Sequence, residues 1–219
     1  MPAGARIADV GTDHGLLPLW LLENGIAVSA VATDIRPGPL SRAEQHRRER
    51  GVTAMRCVLC DGLEKVAPEE ADTVIIAGMG GENMAQILQN APWTAAGALL
   101  LLQPMTHPEI LRAALHRMGI RITGEHLVLD SGRIYPVISA NSGADEEYLP
   151  GELYMGRYKL VSGEALFPDA LESWRRKTDE VIAGLERSRK PDDLTRLNHM
   201  RAVRRDLEEM RRMYDADRS

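Results

Sequence analysis

The sequence predicts an α/β protein: a mostly parallel seven-stranded sheet with helices on both faces, followed by an antiparallel coiled-coil helical hairpin. Three observations carry this. Apolar runs alternate with helical patterns from residue 6 to residue 118, the rhythm of βαβ units. Two further strand-like runs, Arg121–Leu129 and Ile134–Ala140, are joined only by Asp130-Ser131-Gly132-Arg133. That link is too short for a crossover helix and so makes a hairpin. From residue 168 to residue 214, apolar side chains recur at threes and fours in a charged background, as along a helix–helix seam.

The first strand is Arg6–Val10, and the turn Asp9-Val10-Gly11-Thr12-Asp13-His14-Gly15 closes it. Its glycines let a ligand approach the backbone closely. A helix over Leu16–Asn24 follows, with Pro18 in its first turn and Gly25 as its C-cap. The second strand, Val28–Asp34, ends in a carboxylate 23 residues after Gly11, where it can accept hydrogen bonds from a ribose diol. Then come a helix over Pro39–Arg50, strands over Thr53–Leu59 and Asp72–Ala77, a helix over Glu82–Asn90, a strand over Ala98–Leu102 and a helix over His107–Met118.

Open α/β sheets bind ligands at the carboxyl ends of their strands. Those ends carry Gly11 to Gly15, Asp34-Ile35-Arg36, Asp61-Gly62-Leu63, Ala77-Gly78-Met79-Gly80-Gly81 and Gln103-Pro104-Met105. Asp61 suits the exocyclic amino group of an adenine, with Leu63 against its face. The first turn lacks the three glycines of a dinucleotide fingerprint. An aspartate in it repels a pyrophosphate but attracts the ammonium or sulfonium of S-adenosylmethionine. Five parallel strands closed by an antiparallel hairpin are the layout of a Rossmann-like class I methyltransferase, whereas a nicotinamide-binding domain continues with parallel strands. An NAD oxidoreductase therefore ranks last.

At 219 residues with 44 % hydrophobic content, the chain has room for one α/β domain, residues 1–158, and an appendage, residues 159–219. No apolar run reaches the ~18 residues of a membrane span, and the N-terminus has no secretory pattern. Cys57 and Cys60 are spaced to lie on opposite faces of a strand. Without a second such pair they imply no zinc, and the expected setting is the cytoplasm. The net charge of −5 divides as −6 over residues 1–158 and +1 over residues 159–219. This is not the basic footprint of a general nucleic-acid binder.

In the hairpin, Leu171, Trp174, Thr178, Val181 and Leu185 form one stripe, and Leu194, Leu197, Met200, Val203, Leu207, Met210 and Tyr214 the other. The break falls at residues 188–193, around Pro191. The hairpin is either a packing or dimerisation element or an arm that steers a large substrate. Arg187, Arg189 and Lys190 at its tip, and Arg201, Arg204, Arg205, Arg211 and Arg212 beyond, either form a solvated face paired with Asp206, Glu208 and Glu209 or reach phosphates.

Three stretches, residues 8–18, Ile75 to Gly81 and Leu101 to Met105, together with Arg133-Ile134-Tyr135 in the hairpin, resemble the bacterial tRNA (adenine-22-N1)-methyltransferases over nearly the whole chain. The resemblance implies S-adenosylmethionine as donor and N1 of an adenine in the tRNA D-arm region as acceptor; no metal is expected. It also implies a helical segment before the first strand, covering the donor pocket or touching tRNA, where this chain has only residues 1–5. Donor contacts are expected from Asp9, the Gly11–Gly15 turn, Asp34, Ile35, Asp61, Gly62, Leu63, Ala77, Gly78 and Met79. Asp13 and His14 are candidates to orient the adenine or take up its N6 proton. Gly80 is expected to leave room for the base, so that a branched side chain there intrudes on the acceptor or strains the backbone. The chain is expected to act without a stable protein partner, as a monomer or weak homo-oligomer. Residues alone leave open a small-molecule methyltransferase and a non-catalytic donor-binding protein.

Overall fold

The computed structural model describes residues 1–188 and 190–218. A seven-stranded sheet runs in the order β3-β2-β1-β4-β5-β7-β6. Its strands are β1 (Ala5–Val10), β2 (Ala27–Asp34), β3 (Met55–Leu59), β4 (Thr73–Gly80), β5 (Leu99–Thr106), β6 (Ile120–Asp130) and β7 (Arg133–Ser142). The first five are parallel, and β7 runs antiparallel between β5 and β6. The strand order reverses between β1 and β4, which sets a crevice at their carboxyl ends.

Helices α1 (Leu16–Glu23) and α2 (Pro37–Glu49) cover one face, and α3 (Gly81–Asn90) and α4 (Pro108–Arg117) the other. Neighbouring residues of β4 feed opposite cores, Ile75 with Ile7, Leu19 and Ala43, and Ile76 with Val10, Met84, Leu100 and Leu111. This is the period-two pattern of a strand buried on both faces. Gly25 caps α1 as expected, in the left-handed region at φ 66, with Ile26 N–H donating to the Leu21 carbonyl at 2.9 Å. The β6–β7 link places Ser131 and Gly132 both at positive φ, 48 and 75, the signature of a tight two-residue hairpin turn.

The structure changes four expectations. Strands β4 and β5 run on through Gly78-Met79-Gly80 and Gln103-Pro104-Met105, because a register shift around Gly78 absorbs the glycines without ending the ladder. Cys60 lies beyond the last residue of β3, so the two thiols do not share a strand; both are free. Cys57 is half-buried, and desolvation with Glu44 nearby pushes its thiol up to about 11. The connection after the sheet, which reads as polar coil, holds two short helices, α5 (Pro150–Met155) and α6 (Tyr158–Val161). Leu194 is 62 % exposed and leaves the apolar seam.

The C-terminal helices α7 (Phe167–Glu186) and α8 (Pro191–Ala216) pack antiparallel, with Leu171 near Val203 and Leu207 at one end and Leu185 near Leu197 at the other. Their base is docked on the rest of the chain. Phe167, Leu171, Val203 and Leu207 bury against Met155, Val161 and the overhanging ribbon residues Leu127 and Ile134. Asp206 accepts a hydrogen bond from Gly151 N–H at 2.8 Å, and a Cβ on Gly151 would collide with Asp206. Beneath this joint, Arg112 of α4 forms a bidentate pair with Glu125 of β6 (2.6 and 3.1 Å) and donates to the carbonyls of Leu153 and Tyr154 in α5. No described helix is long and apolar enough to cross a membrane.

Candidate active site

A cleft of about 740 Å³ opens at the β1/β4 switch point, within the usual range for small-molecule sites. Ten of the residues expected at the site line it: Gly11, Asp13, Asp34, Ile35, Asp61, Gly62, Leu63, Ala77, Gly78 and Met79. Asp9, Thr12, His14, Gly15 and Gly80 lie outside the lining, each for a visible reason.

The first turn is built by its backbone. Gly11 and Asp13 both adopt positive φ, 70 and 52, and an L-residue at Asp13 is held there against its own preference. Gly11 and Thr12 N–H both donate to the Thr33 carbonyl at 2.9 Å. A Cβ on Gly11 would overlap the Met79 methyl, so the missing side chain lets Met79 lie across the turn. Gly15 serves packing, since a Cβ there would crowd Ala43 of α2. His14 turns away toward α2: its carbonyl accepts from His46 Nδ1 at 2.9 Å, and its ring stacks with His46 at 6.1 Å. Its Nε2 lies 3.4 Å from Asp13, whose own side chain is 61 % exposed.

Asp9 sits beneath the turn, where desolvation pushes its carboxyl up to about 6 from 3.8. The buried Thr12 hydroxyl draws it back in part but forms no hydrogen bond of ordinary geometry. With the folded value raised, the acid costs nothing where both states are protonated. Its ionisation destabilises the fold as pH rises through about 6. Asp9→Asn is expected to stabilise the protein by about 1–2 kcal/mol at pH 7, less than the full ionisation cost because a buried amide also needs partners. Below about pH 4 the gain should vanish. Denaturant melts at both pH values test this, and an equal gain at both would remove the ionisation argument.

Asp34 ends β2 with its carboxylate only 4 % exposed. One oxygen accepts from Arg36 N–H at 2.8 Å, and the other accepts no hydrogen bond from the described residues, which leaves an acceptor facing the cleft. Thr33 ties three strand ends together, its carbonyl holding the first turn and its hydroxyl donating to the Gly62 carbonyl at 2.8 Å. On the far wall, Gly78 N–H leaves the sheet ladder and donates to Gln103 Oε1 at 2.9 Å. Gln103 thus fixes the bulge that presents Ala77 to Met79. Gly80 follows with an ordinary φ of −71, so the strain expected there is absent. A Cβ on it would stand 3.0 Å from Thr106 Oγ1.

Sequence reasoning missed Asn83, Gln86, Ile87 and Asn90, which line the cleft from α3. Their spacing of three, four and seven places them on one helix face, a signal that was present and unused. It also missed Glu64. Among the described residues the cleft walls carry Asp13, Asp34, Asp61 and Glu64 against Arg36 alone, so its field favours a cationic ligand and opposes a pyrophosphate. Among the described residues no cluster of His, Cys, Asp and Glu could hold a metal ion.

Residues 1–138 match the methyltransferase-domain family. Over 181 residues, 80 % of this chain and 75 % of the relative, the sequence is 34 % identical to the tRNA (adenine(22)-N(1))-methyltransferase of Bacillus subtilis. The crystal structure of the B. subtilis m1A22 tRNA methyltransferase superposes with a TM-score of 0.84 at 27 % identity, covering 95 % of this chain and 93 % of that one. A Streptococcus pneumoniae protein solved in complex with S-adenosyl-L-methionine gives a TM-score of 0.76 at 25 % identity, with 92 % of both chains covered.

Proposed function

Because this chain belongs to the tRNA (adenine-22-N1)-methyltransferase family, we propose that it transfers a methyl group from S-adenosylmethionine to N1 of adenine 22 in tRNA. The observation that carries the reading is the anionic cleft at the switch point, whose four carboxylates suit a cationic donor. The cleft's size and its free Asp34 oxygen fit that donor. Asp34 would take the ribose hydroxyls, Asp61 and Leu63 the adenine, and Asp13 the positive end. When bound, the donor supplies an electrophilic methyl carbon on sulfonium.

The chain's own task is placement. Adenine N1 carries a free lone pair near neutral pH, so no base is needed before attack, and alignment supplies most of the acceleration. The N1–C bond forms as the S–C bond breaks, and the positive charge passes from sulfur to the base. Met79, next to the bulge that Gln103 fixes through Gly78 N–H, would pack on the reacting ligands. Gly80 beside Thr106 would keep the acceptor side free of bulk. His14 turns to α2 and has no place in this scheme, while Asp13 stays at the cleft.

Residues 1–158 would carry the chemistry and residues 159–219 contacts to the folded tRNA. The protein is taken to work as a monomer or weak homo-oligomer. Arg201, Arg204, Arg211 and Arg212 hold Glu186, Asp179 with Glu208, Asp215 and Glu209 respectively, which favours a solvated face for those four. Arg189 lies outside the described residues. Incubation with labelled donor and tRNA is expected to label the parent transcript and not one bearing guanine at position 22. Label in a metabolite fraction instead would point to a small-molecule acceptor, and binding without transfer to a donor-binding protein.

A further inference from the structure

A second cavity, of about 260 Å³, lies between the first turn of α4, α5 and the two hairpin helices. It is below the roughly 300–1,000 Å³ of ordinary ligand pockets, a size for one planar ring system. Its floor is aromatic. Trp174 and Tyr154 meet edge to face at 5.4 Å, and the His199 ring lies 6.2 Å from Tyr154. Its rim is basic. Lys177 Nζ stands 4.7 Å from the centre of the Trp174 ring, and Arg196 and His199 line the groove from α8.

Two features mark this place. Lys177 and Arg196 form no ion pair among the described residues and stand at an aromatic groove, whereas Arg175, Arg201, Arg204, Arg211 and Arg212 each hold a carboxylate; Arg176, Arg187 and Arg205 also form no ion pair among the described residues but do not line the groove. The carboxylate that lines the groove, Glu109, is itself engaged by His107 Nδ1 at 3.0 Å. The groove also lies on the working edge of the sheet. Glu109 is in the first turn of α4, directly after the carboxyl end of β5. The His107 carbonyl fills the space where a Gly81 side chain would stand, next to Gly80.

An aromatic floor with unpaired cations at its rim is the chemistry that holds an unpaired nucleotide: the base stacks, and the cations take its phosphate. We infer that this groove is a second nucleotide subsite, which stacks one unpaired base of the tRNA on Trp174 and holds the adjoining phosphate with Lys177 and Arg196 while the target adenine occupies the main cleft. The inference rests on the tRNA reading above. A base that takes the indole face moves the Lys177 ammonium aside, to where the phosphate of that nucleotide lies. The hairpin then contributes through its junction with the catalytic domain rather than through Arg201, Arg204, Arg211 and Arg212, which hold carboxylates.

The chain has three tryptophans, so Trp20→Phe/Trp93→Phe leaves Trp174 as the only reporter. Titration with tRNA is expected to quench its emission with the dissociation constant of binding, while S-adenosylmethionine alone leaves it unchanged. Lys177→Glu and Arg196→Glu should each raise the tRNA dissociation constant and KM about tenfold, with kcat and donor affinity close to the parent's. Each should flatten the salt dependence by about 0.7–0.9 in log–log slope. Trp174→Phe should retain most of the affinity that Trp174→Ala loses. If the parent binds and methylates tRNA but Trp174 emission is silent and both charge variants bind normally, the subsite is wrong and the tRNA reading stands. If the parent neither binds nor methylates tRNA, both fall. Quenching that follows protein concentration and not tRNA would assign the groove to a second copy of the chain and overturn the subsite.

Discussion

Replacing Arg112 with methionine is expected to lower the unfolding free energy by about 3–5 kcal/mol, the cost of leaving a buried partner charge without its counter-ion. Arg112 and Glu125 are 1 % and 0 % exposed, and the guanidinium grips both carboxylate oxygens. Its remaining donor holds the Leu153 and Tyr154 carbonyls. One side chain therefore joins α4, β6 and α5, and α5 is the shelf on which α8 rests through Gly151 and Asp206. Gly156 belongs to the same joint, since a Cβ there would stand 2.9 Å from Glu125 Oε2. The double variant Arg112→Met/Glu125→Leu should recover most of the loss, because removing both charges ends the desolvation penalty. Urea melts of the three variants decide it. A single variant within about 1 kcal/mol of the parent would mean that water reaches the pair and that the joint is held by its apolar contacts.

The same joint marks the limit of what could be read from the chain. Period-two and period-3.6 patterns revealed every strand of the sheet and the helices α1 to α4, because those elements bury a regular face. Arg112 and Glu125 were invisible, since a charge on an amphipathic helix or a strand normally means a solvated position. Their pairing depends on two elements meeting in space. Helices α5 and α6 escaped because six and four residues are too few to show a period. The cleft was legible at its strand ends, where Asp34, Asp61 and the glycines stand out against apolar runs. It was illegible where a side chain acts through a neighbour. Thr33 touches the site by pinning its backbone, and nothing in a single sequence distinguishes it from other polar residues near a strand end; Gln103 was legible as a strand end, but its hold on Gly78 N–H was not. The turn itself departs from local preference, with Asp13 at positive φ and Asp9 buried with no ion pair among the described residues. Strain and desolvation gathered in one turn are characteristic of a site shaped for a ligand rather than for stability.

Asp34→Ala is expected to weaken S-adenosylmethionine binding by roughly ten- to hundredfold while leaving the fold intact. The carboxylate is nearly inaccessible yet keeps one oxygen without a donor among the described residues. A ribose hydroxyl at that oxygen gains a charge-assisted hydrogen bond, worth about 1.5–3 kcal/mol, and each 1.4 kcal/mol is a factor of about ten in affinity. The other oxygen is engaged by Arg36 N–H, so the loop after β2 should slacken a little in the variant. That contribution separates from ligand binding in Asp34→Asn, whose amide oxygen can still accept from Arg36 while the charge is lost. Asp34→Asn should therefore fall between parent and alanine in donor affinity and match the parent in thermal stability. Calorimetric titration with the donor, and with S-adenosylhomocysteine, reads the difference directly. Because the ribose is common to both ligands and the sulfonium is not, Asp34→Ala should weaken the two equally. Asp13→Ala should weaken the donor more than S-adenosylhomocysteine, which keeps the ammonium but lacks the sulfonium. Unchanged donor affinity in Asp34→Ala would place the ribose elsewhere and, with it, the whole assignment of the cleft.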